Sequence, residues 1–204
     1  MSTRERILDA AEEILRTRGV ALATTKEIAQ AAKLSEPTLY KYFDDKEQLL
    51  LAVLKERLPG PARLSIRPGV GEVEDNLAEL AHAALDFYQQ SIPMLGALLA
   101  DPKRMAAHRV AMSRHGGGPD KAAATFATYL RAEQTIGRIS PDADPDAIAS
   151  LLIGACFHAA FLRYYSEGPA ATAAPRASAE ALARAVVRPL LPLSAYRSAD
   201  DHGV

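Results

Sequence analysis

The residues best suited to chemistry lie near the amino-terminal end, and what they offer is anion binding rather than bond making. Thr24, Thr25 and Lys26 place two hydroxyls and an ammonium in succession. A helix starting there adds free backbone N–H groups, a combination that holds phosphate; Lys26 is also long enough to reach a base. Downstream, Ser35, Glu36, Pro37, Thr38, Tyr40, Lys41 and Tyr42 interleave hydroxyls, rings and a cation, and Lys46 follows. Thr38 can meet a thymine methyl or a phosphate, and Lys41 a guanine edge or a phosphate. Tyr40 and Tyr42 each join a flat apolar ring to a hydroxyl, which suits a backbone contact or packing against the first helix.

Other chemistries find little support. No Ser/His/Asp arrangement, phosphate-cradling glycine loop or paired-carboxylate motif stands out, so no catalytic residue and no cofactor is assigned. The histidines at 82, 108, 115 and 158 lack metal-ligand spacing, and the single cysteine cannot complete a thiolate site. Cys156 reads as a buried, inert thiol, with oxidant sensing as the alternative. With 24 basic and 25 acidic residues the formal charge is -1, so any affinity for a polyanion must come from local placement. Even the first sixty residues balance, ten against ten.

The start, MSTRERILDAAEE, lacks the apolar core of a secretory signal, and one thiol suits a reducing compartment; a cytoplasmic protein is expected. The longest nearly apolar stretch, 147–162, falls short of the roughly 20 residues that span a bilayer and reads as a buried helix, with no membrane partner.

Alanine- and leucine-rich segments with i, i+3, i+4, i+7 spacing, and no hairpin signals, predict an all-α fold. The first helix is expected over 3–18, with Ile7, Ala10, Ala11, Ile14 and Leu15 as its apolar stripe and Gly19 as its stop. Thr24 with Glu27 three residues later forms a capping-box pattern ahead of Ile28, Ala29 and Ala32. Lys33-Leu34-Ser35 interrupts, and Ser35 can cap a third helix with Pro37 in its first turn and Leu39 and Phe43 facing inward. Asp44-Asp45 opens a fourth helix over 46–58, ended by Pro59-Gly60-Pro61. A turn-rich stretch from Pro59 to Gly71 then marks a boundary. Further helices are expected over 73–90, 92–100, 102–115, 119–138, 145–167 and 178–193, with breaks at Gly116-Gly117-Gly118 and at 168–175. The domains are set at 1–50, 51–198 and a tail at 199–204.

Two short helices joined by about three residues form the arrangement that lays a second helix in the major groove of DNA. The string TTKEIAQAAKLSEPTLYKYFDDKEQLL, above all TLYKYF and the following Lys46, resembles the DNA-binding region of the TetR/AcrR family of bacterial transcriptional repressors. The resemblance covers roughly residues 5 to 55. It implies that the N-terminal domain is a three-helix, helix-turn-helix unit and that Tyr40 and Lys46 contact phosphate. Two positions depart from the family pattern. Lys33 stands where a turn glycine is common, and Glu36 stands where Lys, Arg or Gln often begins the recognition helix. An acid there either accepts from a cytosine amino group or turns away.

The resemblance further implies a larger helical domain that binds a small effector and pairs two chains. Independently, the segment 145–167 carries apolar residues on nearly every side, and its small residues admit a second helix closely. A homodimer interface is therefore expected through Leu151, Gly154, Ala155, Ala159, Leu182 and Val186. For the effector, Phe87, Tyr88, Met94, Leu98, Met105, His108, Phe126, Tyr129 and His158 offer apolar bulk with polar handles, as pocket lining or as core. The reading is a homodimeric repressor of a palindromic operator, released by a small molecule. The alternatives are a helical small-molecule binder or enzyme with a degenerate helix-turn-helix, or an activator.

Overall fold

The computed structural model describes residues 1–18, 23–57, 60–61, 64, 66–114, 118–168 and 173–188. All regular structure among them is helical: α1 Thr3–Arg18, α2 Thr25–Ala31, α3 Glu36–Leu39, α4 Lys46–Glu56, α5 Val73–Leu99, α6 Pro102–Arg114, α7 Lys121–Thr135, α8 Pro145–Glu167 and α9 Arg176–Val187. The expected stops at Gly19, Pro59, Gly116 and Gly117, and the tail at 199–204, lie outside the described residues, as does His115.

The described residues pack into two compact units. One draws on Met1–Leu58, Gln89–Gly118 and Arg163–Thr172, the other on Pro59–Tyr88, Pro119–Leu162 and Ala173–Val204. This division differs from a cut after residue 50, for a packing reason. Leu49 and Val53 of α4 share one core with Ile7, Leu8, Ala11, Ile28, Ala29, Leu39 and Phe43, so α4 completes the N-terminal bundle. Charged pairs fasten it there: Arg4 of α1 grips Glu56 through two bonds of 2.6 Å, and Arg57 donates to Asp9 at 2.8 Å.

Several helices differ from their predicted bounds; α9, expected over 178–193, begins at Arg176, and residues 189–193 lie outside the described residues. The α3 helix has only 4 residues, and Phe43 lies beyond it in a turn that still buries the ring. The break expected near Ser91 does not occur: α5 runs 27 residues with Pro93 inside. Buried Leu85, Gln89, Ile92 and Leu98 keep a helical rhythm across the proline, and their packing outweighs the roughly 3 kcal/mol penalty of an interior Pro. α7 is shorter than expected at both ends and stops in a Schellman turn, with Gly137 left-handed at φ 77. There Gly137 N–H donates to Gln134 O at 3.0 Å and Arg138 N–H to Glu133 O at 3.0 Å.

Within a single chain, α8 is buried along one face only. α8 buries Ala149, Leu152, Ile153, Cys156 and Ala160 in the second unit's core and leaves Leu151, Phe157, Phe161, Leu162 and Tyr165 exposed. With 23 residues and a mean hydropathy of 1.6, it is long and apolar enough by length and composition to cross a bilayer. The buried face is shared with Leu77, Ala81, Leu85, Phe126, Leu130 and Ala179, as in a core helix. At the end of the same unit's polar network, Glu133 is wholly buried; it accepts from Gly69 N–H at 3.1 Å and pairs with Arg138 at 3.4 Å.

Two tests follow from this packing. Leu39 is fully buried, so Leu39→Ala is expected to cost about 2–5 kcal/mol in a denaturant titration. Cys156 is also fully buried, and burial pushes its thiol up to about 12. A thiol reagent at pH 8 is therefore expected to label the folded chain far more slowly than the denatured chain, with labelling tracking unfolding.

Candidate nucleic-acid interface

The site is built from α2, the turn after it, and α3. Thr24 caps α2: its hydroxyl accepts from Glu27 N–H at 3.2 Å, and the Glu27 carboxylate accepts from Thr24 N–H at 3.2 Å. The predicted capping box is therefore present, and it satisfies two orphan donors of a helix only 7 residues long. Lys26 lies exposed beside it.

The turn is a second Schellman motif. Lys33 N–H donates to Gln30 O at 2.9 Å and Leu34 N–H to Ala29 O at 2.8 Å, with Lys33 left-handed at φ 56. Lys33 is the only non-glycine residue with positive φ among those described. The chain thus makes the same turn twice, with Gly137 where a glycine is wanted and with Lys33 here. The geometry that a glycine would ease is kept with a lysine in place. Arg6 of α1 helps hold it, donating to Ala32 O at 2.5 Å and to Lys33 O at 3.5 Å.

α3 begins after Ser35, whose hydroxyl pairs with Thr38 Oγ1 at 2.8 Å rather than capping the backbone. Leu39 and Phe43 anchor it, and Arg4 sits over the Phe43 ring at 5.3 Å. Those anchors fix the opposite side outward: Pro37, Tyr40, Lys41 and Tyr42 are exposed, and Thr38 is half-buried. Both tyrosines are 44% exposed, so neither ring is an ordinary core residue.

Glu36 is held inside the motif. Thr25 Oγ1 donates to Glu36 Oε1 at 2.5 Å, and the same oxygen lies 3.2 Å from the Tyr40 hydroxyl. Of the two arrangements open to an acid here, this is the turned-away one. Sequence reasoning did not find the bond. Its signal is the i, i+11 separation of Thr25 and Glu36, which becomes a contact only once the turn is closed.

Lys46 begins α4 and is half-buried rather than solvated. Its ammonium donates to Ala23 O, and burial, with Arg104 nearby, holds its pKa below the usual lysine value. Asp45 caps α4 by accepting from Gln48 N–H at 2.7 Å. Arg104 of α6 pairs with Glu47 at 3.3 Å, next to Lys46 in the chain.

The effector candidates fall in both units. Phe126 and Tyr129 belong to the second unit's core, with Tyr129 OH accepting from Asn76 at 3.0 Å. Tyr88 meets Phe87 and Phe157 edge-on, at 5.6 and 5.4 Å between centroids. His158 is exposed on α8. In the first unit, Met94 and Leu98 form a small cluster with Leu50, against which Met105 packs. His108, half-buried, has its pKa lowered by desolvation, opposed by Glu47. Of the six residues expected to pair two chains, Leu151 and Gly154 are exposed and Ala155, Ala159, Leu182 and Val186 are half-buried. No group of metal-ligating side chains occurs among the described residues.

Comparison with known proteins fits this geometry. Residues 7–53 match the family model for bacterial regulatory proteins of the tetR family, a span from α1 to α4. The chain is 44% identical over 54 residues to the uncharacterized HTH-type transcriptional regulator YvkB of Bacillus subtilis, covering 26% of this chain and 29% of that one. It is 37% identical over 84 residues to the HTH-type transcriptional regulator SrpR of Pseudomonas putida, covering 41% of this chain and 38% of that one. The matches thus span well under half the length of these curated relatives. Over nearly the whole chain the fold is similar to a crystal structure of a TetR-family transcriptional regulator from Mesorhizobium loti: TM-score 0.65, 23% identity, 92% of this chain and 94% of that one.

The turn supplies a direct test. Replacing Lys33 by Gly removes the cost of a left-handed L-residue, about 1–2 kcal/mol, against a smaller entropic loss. Lys33→Gly is expected to raise stability by about 0.5–1 kcal/mol in thermal unfolding; destabilisation would mean that the turn is not left-handed.

Proposed function

We propose that this chain, which belongs to the TetR family of bacterial regulatory proteins, is a ligand-responsive transcriptional repressor that binds a palindromic operator as a homodimer and is released by a small-molecule effector. The observation that carries the reading is the outward face of α3 and of the turn after it: Pro37, Thr38, Tyr40, Lys41 and Tyr42 lie opposite the buried anchors Leu39 and Phe43. A side-chain set of this kind reads base edges in a major groove while hydroxyls and ammonium groups grip the phosphates. Thr24, Thr25 and Lys26 grip one phosphate at the start of α2, and Lys46 a second at the start of α4 once it leaves Ala23 O. Ser35 stands at the start of α3, where its hydroxyl can also meet the backbone.

Pairing supplies what a neutral domain lacks. Two recognition helices about one duplex turn apart multiply weak half-site affinities. The apolar side of α8, with Leu151, Gly154, Ala155 and Ala159, and the neighbouring Leu182 and Val186 of α9 are the surface we assign to it. An exposed apolar face carrying Leu151, Phe157 and Leu162 is costly in water, and burying it against a second copy would remove that cost.

The effector would act by favouring a dimer whose recognition helices fit the operator poorly. A tenfold loss of affinity needs only about 1.4 kcal/mol of differential binding between two states. Phe87 and Tyr88, with Phe157 beside them, supply apolar walls and a phenol for such a ligand.

Selection from random duplexes, followed by a salt series on the selected sequence, tests the reading. A palindromic preference is expected, with affinity falling steeply as salt rises and Lys41→Ala reducing it about tenfold or more. Recovery of unselected sequences, with Lys41→Ala and Lys46→Ala binding like the parent, would remove the repressor reading and leave a helix-turn-helix kept only for packing.

A further inference from the structure

Glu36 is an odd residue to find on a surface that meets phosphate, and its bonds suggest what it does. Thr25 owns a single hydroxyl proton. At 2.5 Å from Glu36 Oε1 that proton is committed to the carboxylate, in the short range of charge-assisted O–H···O⁻ bonds. The contact of 3.2 Å between Thr25 Oγ1 and Tyr40 OH then has one polarity left: the phenol donates and Thr25 accepts. Tyr40 is partly exposed, yet its only hydroxyl proton points inward, along a chain that ends on Glu36.

A DNA phosphate is acceptor-only, as a carboxylate is. It needs the protons that this chain has already spent. We infer that Glu36 acts as a built-in competitor for DNA phosphate at Thr25 and Tyr40, lowering affinity for every duplex and reading no base. The inference rests on the DNA-binding reading above. It adds that α3 carries its own brake, and that Glu36 works through two hydroxyls rather than by touching a base edge. A regulator that must let go of its site when an effector arrives gains from such a brake, because less differential binding is needed to release it.

The test compares Glu36→Ala, Glu36→Gln, Thr25→Ala and the double substitution Glu36→Ala with Thr25→Ala in the full chain, using a selected duplex and a random one at the same salt. Glu36→Ala removes the acceptor and the charge; it is expected to tighten both duplexes by about the same factor, on the order of tenfold for the loss of a charge-assisted bond, with the selected sequence unchanged. Glu36→Gln keeps an amide oxygen for Thr25 and should gain less. In the Thr25→Ala background the gain from Glu36→Ala should shrink, because the chain of hydroxyls is already cut.

Weaker binding by Glu36→Ala would make the carboxylate a brace and overturn the inference. Relaxed preference at one base pair would make it a base reader and overturn the inference equally. An equal gain in Ala and Gln, kept without Thr25, would mean that charge alone acts and would overturn the hydroxyl chain. If the parent binds duplex and Glu36→Ala gains nothing, only this inference falls. If neither binds any duplex at low salt, the regulator reading falls with it.

Discussion

A helix of 4 residues has no stability of its own, so what α3 presents depends on what holds it. Leu39 and Phe43, both buried, supply the hold from below, and the Schellman turn at Lys33 supplies it from behind. The two are not independent. The left-handed residue at 33 sets the angle at which α3 leaves α2, and at that angle Leu39 and Phe43 share a core with Ile7, Leu8 and Leu49. Arg6 adds a tie from α1 to the carbonyl of Ala32, the C-cap of α2. The side chains proposed to meet DNA from α3 and the turn after it inherit their direction from this arrangement. A conformationally costly lysine in the turn is offset by the core that it lets form.

Electrostatics then decides how strongly such a platform grips. The chain carries no net positive charge, and its first sixty residues are balanced. Affinity must come from a few cations and hydroxyls placed at helix starts, and several of these are already occupied inside the protein. Lys46 donates to Ala23 O, Thr25 to Glu36, and Ser35 shares a hydrogen bond with Thr38. On the proposed reading, DNA would replace internal partners at these positions rather than fill empty ones. The net gain per contact would then be small, and pairing of two chains more valuable.

Much of this was legible from residue order because the signals are local. The capping box at Thr24 and Glu27, the cap before α4, and the bounds of α1 and α8 all follow from side chains within a turn of each other. What was not legible depends on distant partners. Continuity of α5 through Pro93 needs packing that outweighs a breaker, and sequence rules weigh only the breaker. That α8 buries one face and exposes another cannot be read from a segment apolar all round, since periodicity vanishes there. The Glu36–Thr25 bond joins two elements across a turn whose shape depends on an uncommon φ at Lys33. Composition could show that an acid stood out of place, but not what it held.

The central claim is that α3 enters a major groove and that two copies do so together. Footprinting of the chain on a duplex it has selected addresses this most directly. Two symmetric protected patches are expected, centred about 34–36 Å apart along the duplex, each including phosphates that flank a major groove. A single patch, or uniform weak protection without symmetry, would contradict the claim.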